Sequence, residues 1–140
     1  MKTLECGAKE LAKLPVVKMQ DVLIARMIAR EEASRLGFTP QALTQIATTV
    51  SELARNVVQH AGAAGSVRIF EARNTDTGRA GILILVQDRG VGFPNPDGML
   101  AGTSPGAGLP GCRKLMDDLS ITSVVNAGTS VRAVKWLARE

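Results

Sequence analysis

The sequence contains no tyrosine, one tryptophan and three phenylalanines. Proteins that bind single-stranded nucleic acid usually add aromatic stacking platforms to positive charge, and this chain has almost none to offer. Its two cysteines, Cys6 and Cys112, are too few for a disulfide framework and stand in no metal-ligand spacing. With one histidine, His60, an ordinary zinc site also lacks its donors. The longest strongly apolar run, Ile82 to Val86, is far shorter than the roughly 20 residues a membrane span requires. Lys2, Glu5, Lys9 and Glu10 occupy the stretch where a secretory signal would begin its apolar region. These absences lead us to expect a cytoplasmic protein with neither membrane nor nucleic acid as partner.

What is present agrees with that. Seventeen Lys and Arg against thirteen Asp and Glu leave a net charge of +4, but the positive residues run from Lys2 to Arg139 without a cluster. At 140 residues, 45% hydrophobic and 21% charged, the chain has the apolar content for one core and is expected to form a single domain.

The first residues offer a short strand around Leu4 and Cys6 and an extended piece at Pro15 to Val17. From Lys18 to Leu36 the spacing of Met19, Leu23 and Met27, with Ile24 and Ile28, predicts a helix stopped by Gly37. A second helix takes Thr39 as N-cap and Pro40 in its first turn, aligns Leu43, Ile46, Val50, Leu53 and Val57, and ends near Gly62. The period then becomes strand-like. Val67–Ala72 and Gly81–Gln87 form a predicted hairpin, the second strand apolar enough to be central and covered on both faces. Asp88 to Gly111 holds seven glycines and four prolines in twenty-four residues, too many for a regular element. A short helix, Pro110 to Leu119, follows. Two strands, Ile121–Val125 and Thr129–Trp136, close the chain around Asn126, Ala127 and Gly128. Helices first and a mostly antiparallel sheet after them predict an α+β two-layer sandwich.

Three segments have the residues for chemistry. Glu52 and Asn56 stand one turn apart on the second helix, on a face with Thr49 and His60 that lies opposite the apolar stripe. Such a face is either solvated surface or a rigid pair, one side chain accepting a proton and the other giving an oxygen to a hard cation. Asp88-Arg-Gly90-Val-Gly92 follows the most apolar strand, as a turn with an Asx hydrogen bond or as a carboxylate aimed into a cleft with backbone able to approach a ligand. Gly102-Thr103-Ser104-Pro105-Gly106-Ala107-Gly108-Leu109-Pro110-Gly111 runs into a helix, as a linker or as a phosphate-binding backbone. It is neither a Walker loop nor a Rossmann turn. Cys112 with His60 reads as a packed thiol rather than a nucleophile and base, and Trp136 as core or an interface anchor.

In order, these segments resemble the boxes of the histidine-kinase and gyrase type ATPase superfamily. Glu52-Leu-Ala-Arg-Asn56 is similar to its N-box, Asp88-Arg-Gly90-Val-Gly92 to the first glycine box, Gly106-Ala-Gly108-Leu-Pro-Gly111 to the second, and Gly128-Thr129-Ser130-Val131 to the last. The compact length resembles the anti-sigma-factor serine/threonine kinases, and the stretches Ser51 to Asn56, Ala107 to Asp117 and Lys135-Trp136-Leu137 resemble the stressosome switch kinases more closely still. The resemblance implies a Bergerat-type sandwich, ATP with Mg²⁺, and γ-phosphoryl transfer to serine or threonine of a STAS-domain protein. It also implies a downstream phosphatase activated when the kinase is released. Glu52 would be the catalytic base, Asn56 the Mg²⁺ ligand and Asp88 the acceptor for the adenine amino group. Gly90, Gly92, Thr103, Ser104, Gly106, Ala107, Gly108, Leu109 and Thr129 would complete the nucleotide site. The alternative within the resemblance is an anti-sigma factor that sequesters a sigma subunit.

Overall fold

The computed structural model describes residues 8–90 and 109–138. The expectations for Leu4 and Cys6, and for Gly92, Thr103, Ser104, Gly106, Ala107 and Gly108, therefore lie outside the described residues. In chain order the elements are β1 (Lys9–Val16), α1 (Met19–Leu36), α2 (Pro40–Asn56), a π turn (Val57–Ala61), β2 (Gly65–Arg73), β3 (Ala80–Asp88), α3 (Leu109–Leu115), β4 (Asp118–Val124) and β5 (Gly128–Trp136). The five strands form one antiparallel sheet in the order β1-β2-β3-β5-β4. The expected α+β two-layer architecture is what the chain adopts.

Strand alternation makes the sheet two-sided. Val67 and Ile69 of β2, Ile82, Ile84 and Val86 of β3, and Val131 and Ala133 of β5 point to the helices and share one core with them. On the opposite face Ala72, Leu83 and Val134 make a small cluster under Phe70 and Trp136, so the tryptophan is half-buried packing. β3 is the central strand, as its composition predicts. It is covered fully on the helix side only, because Leu85 is half-buried and Gln87 exposed on the other.

Both long helices begin at side-chain caps. Asp21, three residues into α1, accepts from the Val17 and Lys18 backbone N–H groups at 2.9 and 3.0 Å, and those donors hold its carboxyl below the usual range. Thr39 Oγ1 accepts from Ala42 N–H at the start of α2, with Pro40 after it. The buried side of α1 is Val22, Ala25, Ala29 and Ala33. The larger residues that reveal the helix in the sequence, Met19, Leu23, Ile24 and Met27, are exposed. Small side chains let the α1 backbone come close to its neighbours, so size misidentifies the inner face.

Three boundaries differ from expectation. Pro15–Val17 is not a separate piece: β1 runs through Pro15, which is tolerated because β1 is an edge strand. The second helix changes at Val57 to a π turn that ends at Gly62. The short helix stops at Leu115 rather than Leu119, because Asp117 N–H already bonds to Val134 C=O and Asp118 enters β4.

Candidate nucleotide site

The inner ends of α2, the π turn, β3, β5 and α3 enclose a pocket of about 400 Å³, mouth included. Leu53, Val57, Ala61, Val86, Leu109 and Val131 give it apolar walls; Asn56, His60, Asp88 and Thr129 supply its polar groups. An apolar pocket with a few polar groups suits a small organic ligand.

Sheet register sets the polar groups. Asp88 is opposite Gly65 on β2 and Thr129 on β5, so its side chain and that of Thr129 emerge on the helix face together. Asp88 Oδ1 accepts from Gly90 N–H at 2.8 Å. The Asx turn and the cleft-directed carboxylate are thus one structure, and the second carboxylate oxygen accepts no hydrogen bond from the described residues. Gly90 lies against the last carbonyl of the π turn, and any Cβ there would overlap Ala61 C=O. Gly128 has φ +114°, and a Cβ there would overlap Asp88 C=O. These two glycines let the π turn and the β4–β5 turn close on the aspartate from either side. Thr129 Oγ1 lies 2.9 Å from Ser123 Oγ on β4, which limits where the buried hydroxyl points.

The Glu52 face of α2 is not solvated surface. α2 packs against both α1 and α3, so Thr49 and Ser51 are buried while Glu52 and Asn56 are half-buried. His60 remains exposed at its surface while lining the pocket. Asn56 Oδ1 is buried with no hydrogen-bond partner among the described residues. A buried carbonyl oxygen without a donor costs stability unless something occupies it, and a hard cation is a suitable occupant for an amide oxygen. Glu52 lies one turn back from the pocket lining and pairs with Arg55 at 3.1 Å.

Cys112 on α3 is buried beneath this face. Burial raises its thiol pKa to about 11, and the Glu52 carboxylate adds to the rise; the Thr49 hydroxyl beside it lowers it. Thr49 Oγ1 itself has no well-aligned hydrogen bond. The thiol is therefore protonated and inert at neutral pH, the packed cysteine the sequence suggests, and the groups acting on it do not include His60.

Of the residues singled out by sequence, the structure brings Asn56, Asp88, Leu109 and Thr129 to one pocket, with Gly90 at its rim and Glu52 one helical turn away. Sequence reasoning passes over Ser123 and Arg55. Arg55 is detectable by its i,i+3 spacing from Glu52; Ser123 becomes relevant only through the β4–β5 register.

Residues 17–135 match the histidine kinase-like ATPase domain. The chain belongs to that family. It is 39% identical over 122 residues to the serine/threonine-protein kinase RsbT of Bacillus subtilis (strain 168), covering 84% of this chain and 90% of that protein. It is 29% identical over 131 residues to the anti-sigma F factor of Bacillus licheniformis, covering 86% and 87%. Within the histidine kinase-like ATPases the chain is RsbT-like, and with that an ATP-using serine/threonine protein kinase of the partner-switching type.

Proposed function

We propose that this kinase uses ATP with Mg²⁺ to phosphorylate a serine or threonine of a STAS-domain protein, and that its release from that substrate activates a downstream phosphatase. The orphaned Asn56 Oδ1 carries the reading, since a buried unpartnered oxygen at the rim of a base-sized pocket is a place prepared for a cation. The apolar walls take the adenine, and the free oxygen of Asp88 accepts from its amino group. Thr129, held by Ser123, borders the same edge.

Asn56 would hold Mg²⁺ from the protein side, and the ion when bound would offset charge on the phosphates. The rest is positioning. The substrate hydroxyl oxygen forms its bond to the γ-phosphorus as the bond from phosphorus to the β–γ bridging oxygen breaks, leaving ADP. Its proton passes to the Glu52 carboxylate. Arg55 fixes that carboxylate from one side. The 29% identity to an anti-sigma F factor supports a second, weaker reading in which the chain also sequesters a sigma subunit.

Two substitutions separate the roles. Glu52→Gln is expected to leave ATP affinity nearly intact and to slow transfer by about 10² or more, the scale of a lost general base. Asn56→Ala is expected to lose the Mg²⁺-dependent part of ATP binding, and activity with it. Calorimetry with and without Mg²⁺, beside single-turnover transfer assays, reads both. Normal transfer in both variants overturns the assignment.

A further inference from the structure

The helix-facing side of the sheet is apolar until its last row. Register aligns Val67, Val86, Val131 and Ile121 across β2, β3, β5 and β4, and the next row toward the pocket end is Gly65, Asp88, Thr129 and Ser123. Along β4 the inward positions run Leu119, Ile121, Ser123, so the serine stands where the alternation calls for a third apolar side chain. Thr129 lies between Asp88 and Ser123 in this row, buried, and lines the pocket with Asp88. Ser123 is half-buried on the far side of Thr129 and is not among the residues that line it.

Ser123 Oγ stands 2.9 Å from the Thr129 hydroxyl. Its contact with the Gly128 carbonyl, at 3.4 Å, is long for a hydroxyl donor. The turn that joins the two residues holds them in register: Asn126 and Gly128 both have positive φ, and Ala127 N–H donates to Val124 C=O at 2.9 Å. Among the described residues, the route from Ser123 to the pocket is therefore the Thr129 hydroxyl.

That hydroxyl matters because Asp88 alone does not separate the purines. A carboxylate only accepts, and adenine offers it an amino group while guanine offers its own amino group and the adjoining ring N–H. The bases differ in what lies beside the donor: adenine has an acceptor ring nitrogen there, guanine a second donor. A freely turning hydroxyl suits either, since it has one proton and two lone pairs. One held as a donor pairs with the adenine nitrogen and meets the guanine N–H head-on, leaving buried donors unpaired.

We infer that Ser123 is a positioning residue for base specificity: its hydroxyl donates to Thr129 Oγ1, which turns the Thr129 proton toward the pocket as a donor beside the Asp88 acceptor. The inference rests on the reading of the pocket as an adenine site. It adds a residue outside the pocket that decides which purine the pocket takes.

The test is calorimetry of the full-length chain with Mg-ATP, Mg-GTP and an ATP analogue that has carbon in place of the ring nitrogen beside the amino group. Ser123→Ala is expected to weaken ATP about 3- to 10-fold, the worth of one hydrogen bond, and to leave the carbon analogue and GTP no weaker. The parent's preference for ATP over both shrinks accordingly. Thr129→Val is expected to show the same loss, and adding Ser123→Ala to it no further loss. Ser123→Thr, which keeps the hydroxyl, is expected to keep the parent's selectivity. Ser123→Cys, a weaker donor of similar size, is expected to fall between the parent and Ser123→Ala. Melting without nucleotide is the folding control. Equal weakening of all three nucleotides by Ser123→Ala, as a purely structural role produces, overturns the inference. So do additive losses in the double variant, or ATP affinity that Ser123→Ala leaves unchanged. A parent chain that binds no nucleotide overturns the adenine reading and this inference with it, whereas the other failures leave that reading standing.

Discussion

Asp88 does two things with two oxygens. One is committed to the Gly90 N–H, which fixes the carboxylate plane; the other, without a donor among the described residues, is the proposed acceptor for the adenine amino group. Asp88→Asn keeps the turn geometry but replaces a charged acceptor by a neutral amide, so ATP affinity is expected to fall by about 1 to 3 kcal/mol with the fold intact. Calorimetry with Mg-ATP and a melt without nucleotide measure both. Cys112 makes a pH prediction of definite sign. Its pKa rises from 9.0 to about 11 in the folded chain, so above pH 9 the unfolded thiol gives up its proton before the native one does. The native state then holds more protons, and its stability falls with rising pH. Melting temperature is expected to drop more steeply between pH 9 and 10.5 in the parent chain than in Cys112→Ala. Parallel slopes contradict the burial of the thiol.

At the scale of the element, α1 shows why hydrophobic spacing identifies a helix without identifying its inner side. Met19, Leu23 and Met27 predict the helix correctly, yet the core takes Val22, Ala25, Ala29 and Ala33. Enlarging the inner row and trimming the outer one therefore have opposite consequences. Ala29→Leu is expected to cost about 1 to 3 kcal/mol through overpacking against α2 and the sheet, while Leu23→Gln leaves stability nearly unchanged. Urea unfolding of the two variants distinguishes them, and equal destabilisation contradicts the orientation. The π turn after α2 has a similar lesson. A continuous helix to Gly62 is what the residues predict, but one wider turn at Val57–Ala61 brings the Ala61 carbonyl onto Gly90 and His60 to the pocket edge.

For the whole molecule, α1 packs against α2 and β1, whereas the candidate nucleotide pocket is lined from α2, the π turn, β3, β5 and α3. Release of the proposed substrate follows from charge. A new phosphate on the interface brings about −1.5 to −2 charges and a hydration shell that the complex would have to strip. Binding of the phosphorylated STAS protein is expected to be weaker than that of the unmodified protein, read by surface plasmon resonance on both forms. Tighter binding of the phosphorylated form removes the partner-switching step while leaving kinase activity in place.

From α1 onward, apart from the π turn, the sequence by itself determined the element types, the two hairpins, the central place of β3 and the order of the site segments, because these depend on local periodicity and on glycine and proline placement. Of the polar residues that line the pocket, Asn56 and Asp88 stand in segments that the sequence singles out with surface or turn as the alternative reading, and Thr129 enters only through the resemblance to the family's last box. Only the tertiary structure decided which faces are inside. The Glu52–Asn56 side of α2 reads as surface in isolation because α2 has one strongly apolar stripe, and it becomes half-buried because α3 returns from far along the chain to pack on it. Ser123 reaches Thr129 only through the register of β4 on β5. The inner side of α1 is set by how closely a backbone of alanines can approach, a packing constraint that hydrophobicity along one helix does not encode.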